Sequence, residues 1–144
     1  MDDAYDLERF VAAQDAGGTY ETALAELRRG RKTSHWIWFV FPQIAGLGFS
    51  PAAQRYAISS LDEARAYLAH PVLGPRLIEC AGIVAATEGR TAEQIFGEID
   101  AMKLRSSATL FLRAAPEEPV FGQVLSRFFD GAPDPATDRL IRAA

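Results

Sequence analysis

Two stretches of this 144-residue chain carry cations and hydroxyls but no carboxylate, and chemistry is to be sought there first. From Arg28 to Leu61 there is no Asp or Glu, yet the stretch contains Arg28, Arg29, Arg31, Lys32 and Arg55, with His35, Gln43, Gln54 and both tryptophans. Acids are missing again from Ala101 to Pro116, which holds Lys103, Arg105, Ser106, Ser107, Thr109 and Arg113. In a chain of formal net charge −4, such segregation creates local positive potential that draws in anions. The two windows are expected to meet in the fold as one anion-receptive face.

Each candidate in these windows has a chemical and a structural reading. Lys103, with Ser106 three and Ser107 four residues on, sets an ammonium and two hydroxyls on one helical face, whereas Arg105 points elsewhere. That face suits a phosphate or carboxylate; the alternative is that mid-helix serines bond back to the preceding turn. The run Arg28-Arg29-Gly30-Arg31-Lys32 is either a lure for anions or a helix end whose cations complement the dipole. His35 lies between Ser34 and Trp36. As a general base it would need a nucleophile and an orienting carboxylate, and no spacing in the chain supplies them. Trp36 and Trp38, two apart, cannot share a helical face, so one belongs to the core and the other is available to stack on a ring. The candidate ligand-binding residues are therefore Ser34, His35, Trp36, Trp38, Gln43, Arg55, Lys103, Arg105, Ser106 and Ser107.

Composition narrows the classes. The single cysteine, Cys80, sits in an apolar run and has no second thiol with which to bridge or to clamp a metal. His35 and His70 are not at ligand spacing, so no metal is expected, and the glycine fingerprints of dinucleotide and P-loop sites are missing, so no cofactor is expected. The acidic start Met1-Asp2-Asp3 lacks the basic and apolar pattern of an export signal, and no apolar run reaches the ~20 residues of a membrane span. The expected location is the cytoplasm, with no membrane partner. A pI near 5.2 argues against general affinity for nucleic acid.

Helical spacing positions these residues. Leu7, Phe10, Val11 and Gln14 form one face of a first helix that Gly17-Gly18 ends. Thr19 is placed to cap a second helix, with Tyr20, Ala23, Leu24 and Leu27 on one face and Gly30 as its stop. Trp36 to Phe41, between a capping Ser34 and Pro42, reads as a buried two-turn helix. Its aromatic and β-branched content also fits a short strand, for which no other segment offers a partner. Ser50-Pro51, the box Ser60 to Glu63, Gly74-Pro75, the box Thr91 to Gln94, Asp100, Pro119 and Asp134-Pro135 each open a further helix. The length of 144 residues suits one domain, 1–144, and the fold class is all-α: a compact multi-helix bundle of about eight or nine short helices with no substantial sheet.

Six strings add a resemblance. Asp6 to Gln14, Ser34-His35-Trp36-Ile37-Trp38-Phe39-Val40-Phe41-Pro42-Gln43, Gly46 to Ser50, Gln54 to Ile58, His70 to Leu77 and Lys103 to Ser107 occur in order over nearly the whole chain. Together they resemble the bacterial family catalogued as domain of unknown function 1810. The resemblance implies a mainly helical fold and brings no activity or catalytic residues. Two functions follow from the residues: a domain that binds or processes an anionic small molecule such as a nucleotide or phosphorylated metabolite, or a nucleic-acid or protein interaction module using Arg28 to Lys32.

Overall fold

A computed structural model describes residues 3–144. Ten α-helices follow one another: α1 (Glu8–Asp15), α2 (Thr19–Arg29), α3 (Ile37–Val40), α4 (Pro51–Arg55), α5 (Leu61–Ala69), α6 (Leu73–Ala86), α7 (Ala92–Phe96), α8 (Glu98–Ala114), α9 (Pro119–Phe128) and α10 (Pro135–Ala143). A 3-10 turn, Ala16–Gly18, links the first two. Among the described residues the fold is an all-α multi-helix bundle, as periodicity predicts, and α3, α4 and α7 are its shortest helices, of about one turn each. Among the described residues the sheet-like pairing is one isolated parallel bridge between Ile44 and Ile58, in which Ala45 N–H donates to Ile58 O and Ile58 N–H to Gln43 O, both at 2.8 Å.

The long helix α8 packs against α5, α7, α9 and α10, and the buried side chains form one contiguous cluster. Phe10, Trp36, Tyr67, Phe111 and Phe121 are its largest members, each contributing roughly 1.5–3 kcal/mol by leaving water. Gln14, read from its spacing as part of the α1 apolar face, is indeed buried. Its amide donates to Phe39 O at 2.7 Å and Tyr67 Oη at 3.1 Å, and its carbonyl accepts from Arg76 at 3.1 Å, so burial leaves it satisfied.

Several caps stand as the sequence predicts. Ser50 accepts from Ala53 N–H ahead of Pro51, Thr91 and Gln94 close a reciprocal capping box, and Asp134 caps α10 ahead of Pro135. Others differ for identifiable reasons. Thr19 does not cap α2; Gly18, in a left-handed conformation, holds that position, and the Thr19 hydroxyl donates to Ala16 O at 2.6 Å. Ser60 accepts from Glu63 N–H, but the Glu63 carboxylate turns instead to Ser59 and to Arg9, 3.0 Å away, so the box is half made. Only Ile37–Val40 of the Trp36 to Phe41 segment is helical, and Ser34 does not cap it because the helix starts at Ile37 with Trp36 in the cap position, while the Ser34 hydroxyl donates to Glu26. Asp100 is not a cap either: α8 begins two residues earlier, at Glu98, and leaves the Asp100 carboxylate free for two lysines.

Candidate functional site

A cleft of about 420 Å³ lies where the two acid-free windows meet. Ile99, Met102, Lys103, Arg105 and Ser106 of α8 form one side, and Gln43 with Leu47 to Ser50 and Ala53 forms the other. Asp134 and Ala136, at the start of α10, complete it. The Ile44–Ile58 bridge anchors the loop that carries Gln43. Further along, Gly48 lies so close to α4 that a Cβ there would stand 2.6 Å from the Ala53 Cβ, which explains glycine at that position. Phe49, Ile99 and Met102 are 81%, 71% and 71% exposed, and they account for three of the four large apolar side chains that the described residues leave open to water. All three border this cleft.

The polar side of the cleft is rigidly built. Asp134 Oδ2 accepts from Ser106 Oγ at 2.8 Å and Thr137 Oγ1 at 2.6 Å, and its N–H donates to Thr109 Oγ1 at 2.9 Å. Burial pushes the Asp134 carboxyl up, but the Thr137 and Ser106 hydroxyls and the N–H groups of Ala136 and Thr137 outweigh it, holding the group below the usual carboxylate range. Arg105 borders the cleft too, though its guanidinium is engaged by Ala132 O and Pro133 O, each at 2.9 Å. These contacts fasten α10 to α8. Thr109 bonds back to Arg105 O at 2.8 Å, as expected of a mid-helix hydroxyl, and Ser106 Oγ also lies 3.1 Å from Met102 O.

Lys103 supplies the cation. Its ammonium lies 5.1 Å from the centre of the Trp38 ring and 3.6 Å from Asp100 Oδ1. The other Asp100 oxygen takes the buried Lys32 at 2.7 Å, and Lys32 in turn lies 4.9 Å over Trp36. Asp100 thus joins the basic run near α2 to α8, a role its position as an apparent cap concealed. Behind Lys32, the buried carboxylate of Glu26 accepts from Thr33 N–H at 2.9 Å, Ser34 N–H at 3.1 Å, Trp36 Nε1 at 2.9 Å and both hydroxyls of Thr33 and Ser34. Burial raises the Glu26 carboxyl, yet these donors win and bring it down to about 2.

The structure thus brings Gln43, Lys103, Arg105 and Ser106 together, with Trp38 beneath the Lys103 ammonium. Trp36 is the core tryptophan, fully buried, and Ser34 is tied to Glu26. His35 is exposed outside the cleft. Arg55 also lies outside it, with its guanidinium 5.6 Å over Tyr56. Ser107 is buried, and its hydroxyl has no hydrogen-bond partner among the described residues. Asp134, Phe49, Ile99 and Met102 were missed in the sequence. A signal for Asp134 existed in its cap position, but only the fold shows that the capping carboxylate faces a cleft. Among the described residues no group of three metal-ligating side chains converges.

The family described as protein of unknown function (DUF1810) matches residues 4–141. The chain belongs to this family. It is also similar to the crystal structure of the conserved hypothetical protein Rv1873 from Mycobacterium tuberculosis, with 51% sequence identity over 99% of this chain and 100% of that one and a TM-score of 0.95. No curated protein matches. The DUF1810 match spans both sides of the cleft, from Gln43 to Ala136.

Proposed function

We propose that this DUF1810 chain binds a compact anionic small molecule with a flat or apolar body, such as a nucleotide or phosphorylated metabolite, in the cleft between the Gln43 to Ala53 segment and α8. The observation that carries the reading is the gathering of Phe49, Ile99 and Met102, exposed at a cost in water, around a cleft that also holds Lys103. Apolar rims supply the contact area, and the ammonium supplies a charge-assisted donor that fixes one end of the ligand. Gln43 and Ser50 add neutral donors and acceptors.

Binding is favoured over catalysis. Ser106 lines the cleft and donates to the Asp134 carboxylate, and the bonds that hold Asp134 rigid also lower its basicity, so the pair is poorly suited to activating a nucleophile. No helix of the described residues is long and apolar enough to cross a membrane. A thermal-shift screen of nucleoside monophosphates, sugar phosphates and aryl carboxylates at low salt tests the reading. A ligand at a tenfold excess over its Kd adds about 1.4 kcal/mol to stability. The stabilisation should vanish in Lys103→Ala. A screen without a stabilising anion, or a hit that Lys103→Ala binds as well as the wild type, overturns it.

A further inference from the structure

The basic run that the cleft leaves unused forms a surface of its own. Lys32 turns inward, but Arg28 and Arg29 in the last turn of α2 and Arg31 just after it are exposed. The loop between α6 and α7 brings a fourth arginine, Arg90, to the same place. Arg90 lies across the backbone of Gly30, where a Cβ would meet its Cδ at 3.2 Å and its Nε at 3.3 Å, so glycine both ends α2 and admits the guanidinium. Two shallow hollows share Arg90 as a wall. One, of about 460 Å³, is lined by Arg28, Arg29, Thr87 and Glu88 among others; the second, of about 430 Å³, is lined by Arg31, Gly89 and Gln94.

The local charge is unbalanced. Among the described residues, Arg28 has a distant ion pair with Glu79 at 3.8 Å and Glu88 is paired with Arg127 at 3.8 Å, whereas Arg29, Arg31 and Arg90 have no ion pair. Three guanidiniums without an ion pair, lining two hollows that share Arg90, make a concentrated positive site on an acidic protein. Arginine forks match phosphate oxygens two at a time, which a lysine cluster does not. No aromatic side chain lines either hollow, so a base has nothing to stack on and recognition falls on the phosphates. The surrounding net charge of −4 repels an extended polyanion more than a short one.

We propose that Arg29, Arg31 and Arg90 form a second anion site, separate from the cleft, that takes a compact ligand carrying two or more linked phosphates, with Arg90 the donor common to both hollows. Calorimetric titration of the full chain with inorganic tripolyphosphate at low salt tests this. Saturable binding is expected, weakened about fivefold or more by Arg31→Gln and by Arg90→Gln and unchanged by Arg142→Gln, an exposed arginine of α10 outside both the cleft and the two hollows. All these glutamine variants replace exposed side chains, and an unaltered circular dichroism spectrum and melting temperature show that they fold. The proposal is overturned if tripolyphosphate does not bind, or if Arg31→Gln and Arg90→Gln bind it as the wild type does. It is also overturned if Lys103→Ala alone abolishes binding, which assigns the phosphates to the cleft, or if duplex DNA or a poly-glutamate peptide binds this surface more tightly than tripolyphosphate.

Discussion

At the scale of single residues, Glu26 does the most to hold the site in place. Five donors from Thr33, Ser34 and Trp36 converge on it, so it fixes the segment that leads to Trp38 and sets Lys32 against Asp100. Its depressed carboxyl, at about 2 against an ordinary 4.5, carries a definite sign. The stability it contributes is fully present above the unfolded-state value and is lost as pH falls through that value toward the folded one. The contribution is about 3 kcal/mol. Denaturant unfolding from neutral pH down to the acid limit should show wild-type stability falling across this window, and Glu26→Gln should make that fall shallower, leaving the part due to Asp134 and Asp138, while costing about 2–4 kcal/mol at neutral pH. Parallel pH curves for the two proteins would refute the assignment. Ser107 gives the opposite prediction: because its buried hydroxyl has no partner, Ser107→Ala should leave stability unchanged or raise it by up to about 1 kcal/mol in thermal melts. Neither role was legible in the sequence. A glutamate in α2 reads as a solvated helix face until the donors downstream fold back onto it, and Ser107 reads as a partner of Lys103 until burial separates hydroxyl from solvent.

Elements were legible where their signals are local. Ser50-Pro51, Thr91 to Gln94 and Asp134-Pro135 each place a cap and its acceptor within a few residues, and each opens the expected helix. Where a side chain has a distant partner the local signal fails, as at Ser34 with Glu26 and at Asp100 with Lys32. The same distinction separates the two walls of the cleft. The α10 wall is held by Asp134, so Asp134→Ala should leave Thr137 without its acceptor and Ser106 with Met102 O alone, cost about 2–3 kcal/mol, and speed amide hydrogen exchange in α10 before other helices. Uniform acceleration across the fold would contradict that local coupling. The opposite wall depends on the close approach of Gly48 to Ala53. Gly48→Ala should therefore cost about 1–3 kcal/mol and displace the loop that carries Phe49, a change measurable as weaker ligand binding with α8 intact.

At the scale of the whole molecule, the absence of carboxylates from two windows far apart in sequence foretold that they meet, and Gln43 to Ala53 does face Lys103 to Ser106. The meeting is narrower than expected: Arg55, His35 and Ser34 stand outside it, and its apolar rim and the Asp134 carboxylate come from residues that charge patterning does not single out. Met102, one of two methionines in the chain and 71% exposed at the cleft, is placed to report whether an anion binds there. The measurement is the methyl resonance of Met102 in protein labelled with carbon-13 at the methionine methyls, followed during titration with the anions that stabilise the chain. A saturable shift of the Met102 signal in the wild type, lost in Lys103→Ala, is predicted. A nucleoside monophosphate, sugar phosphate or aryl carboxylate that stabilises the chain yet leaves the Met102 resonance unmoved at saturation would place binding outside the cleft and overturn it as the ligand site.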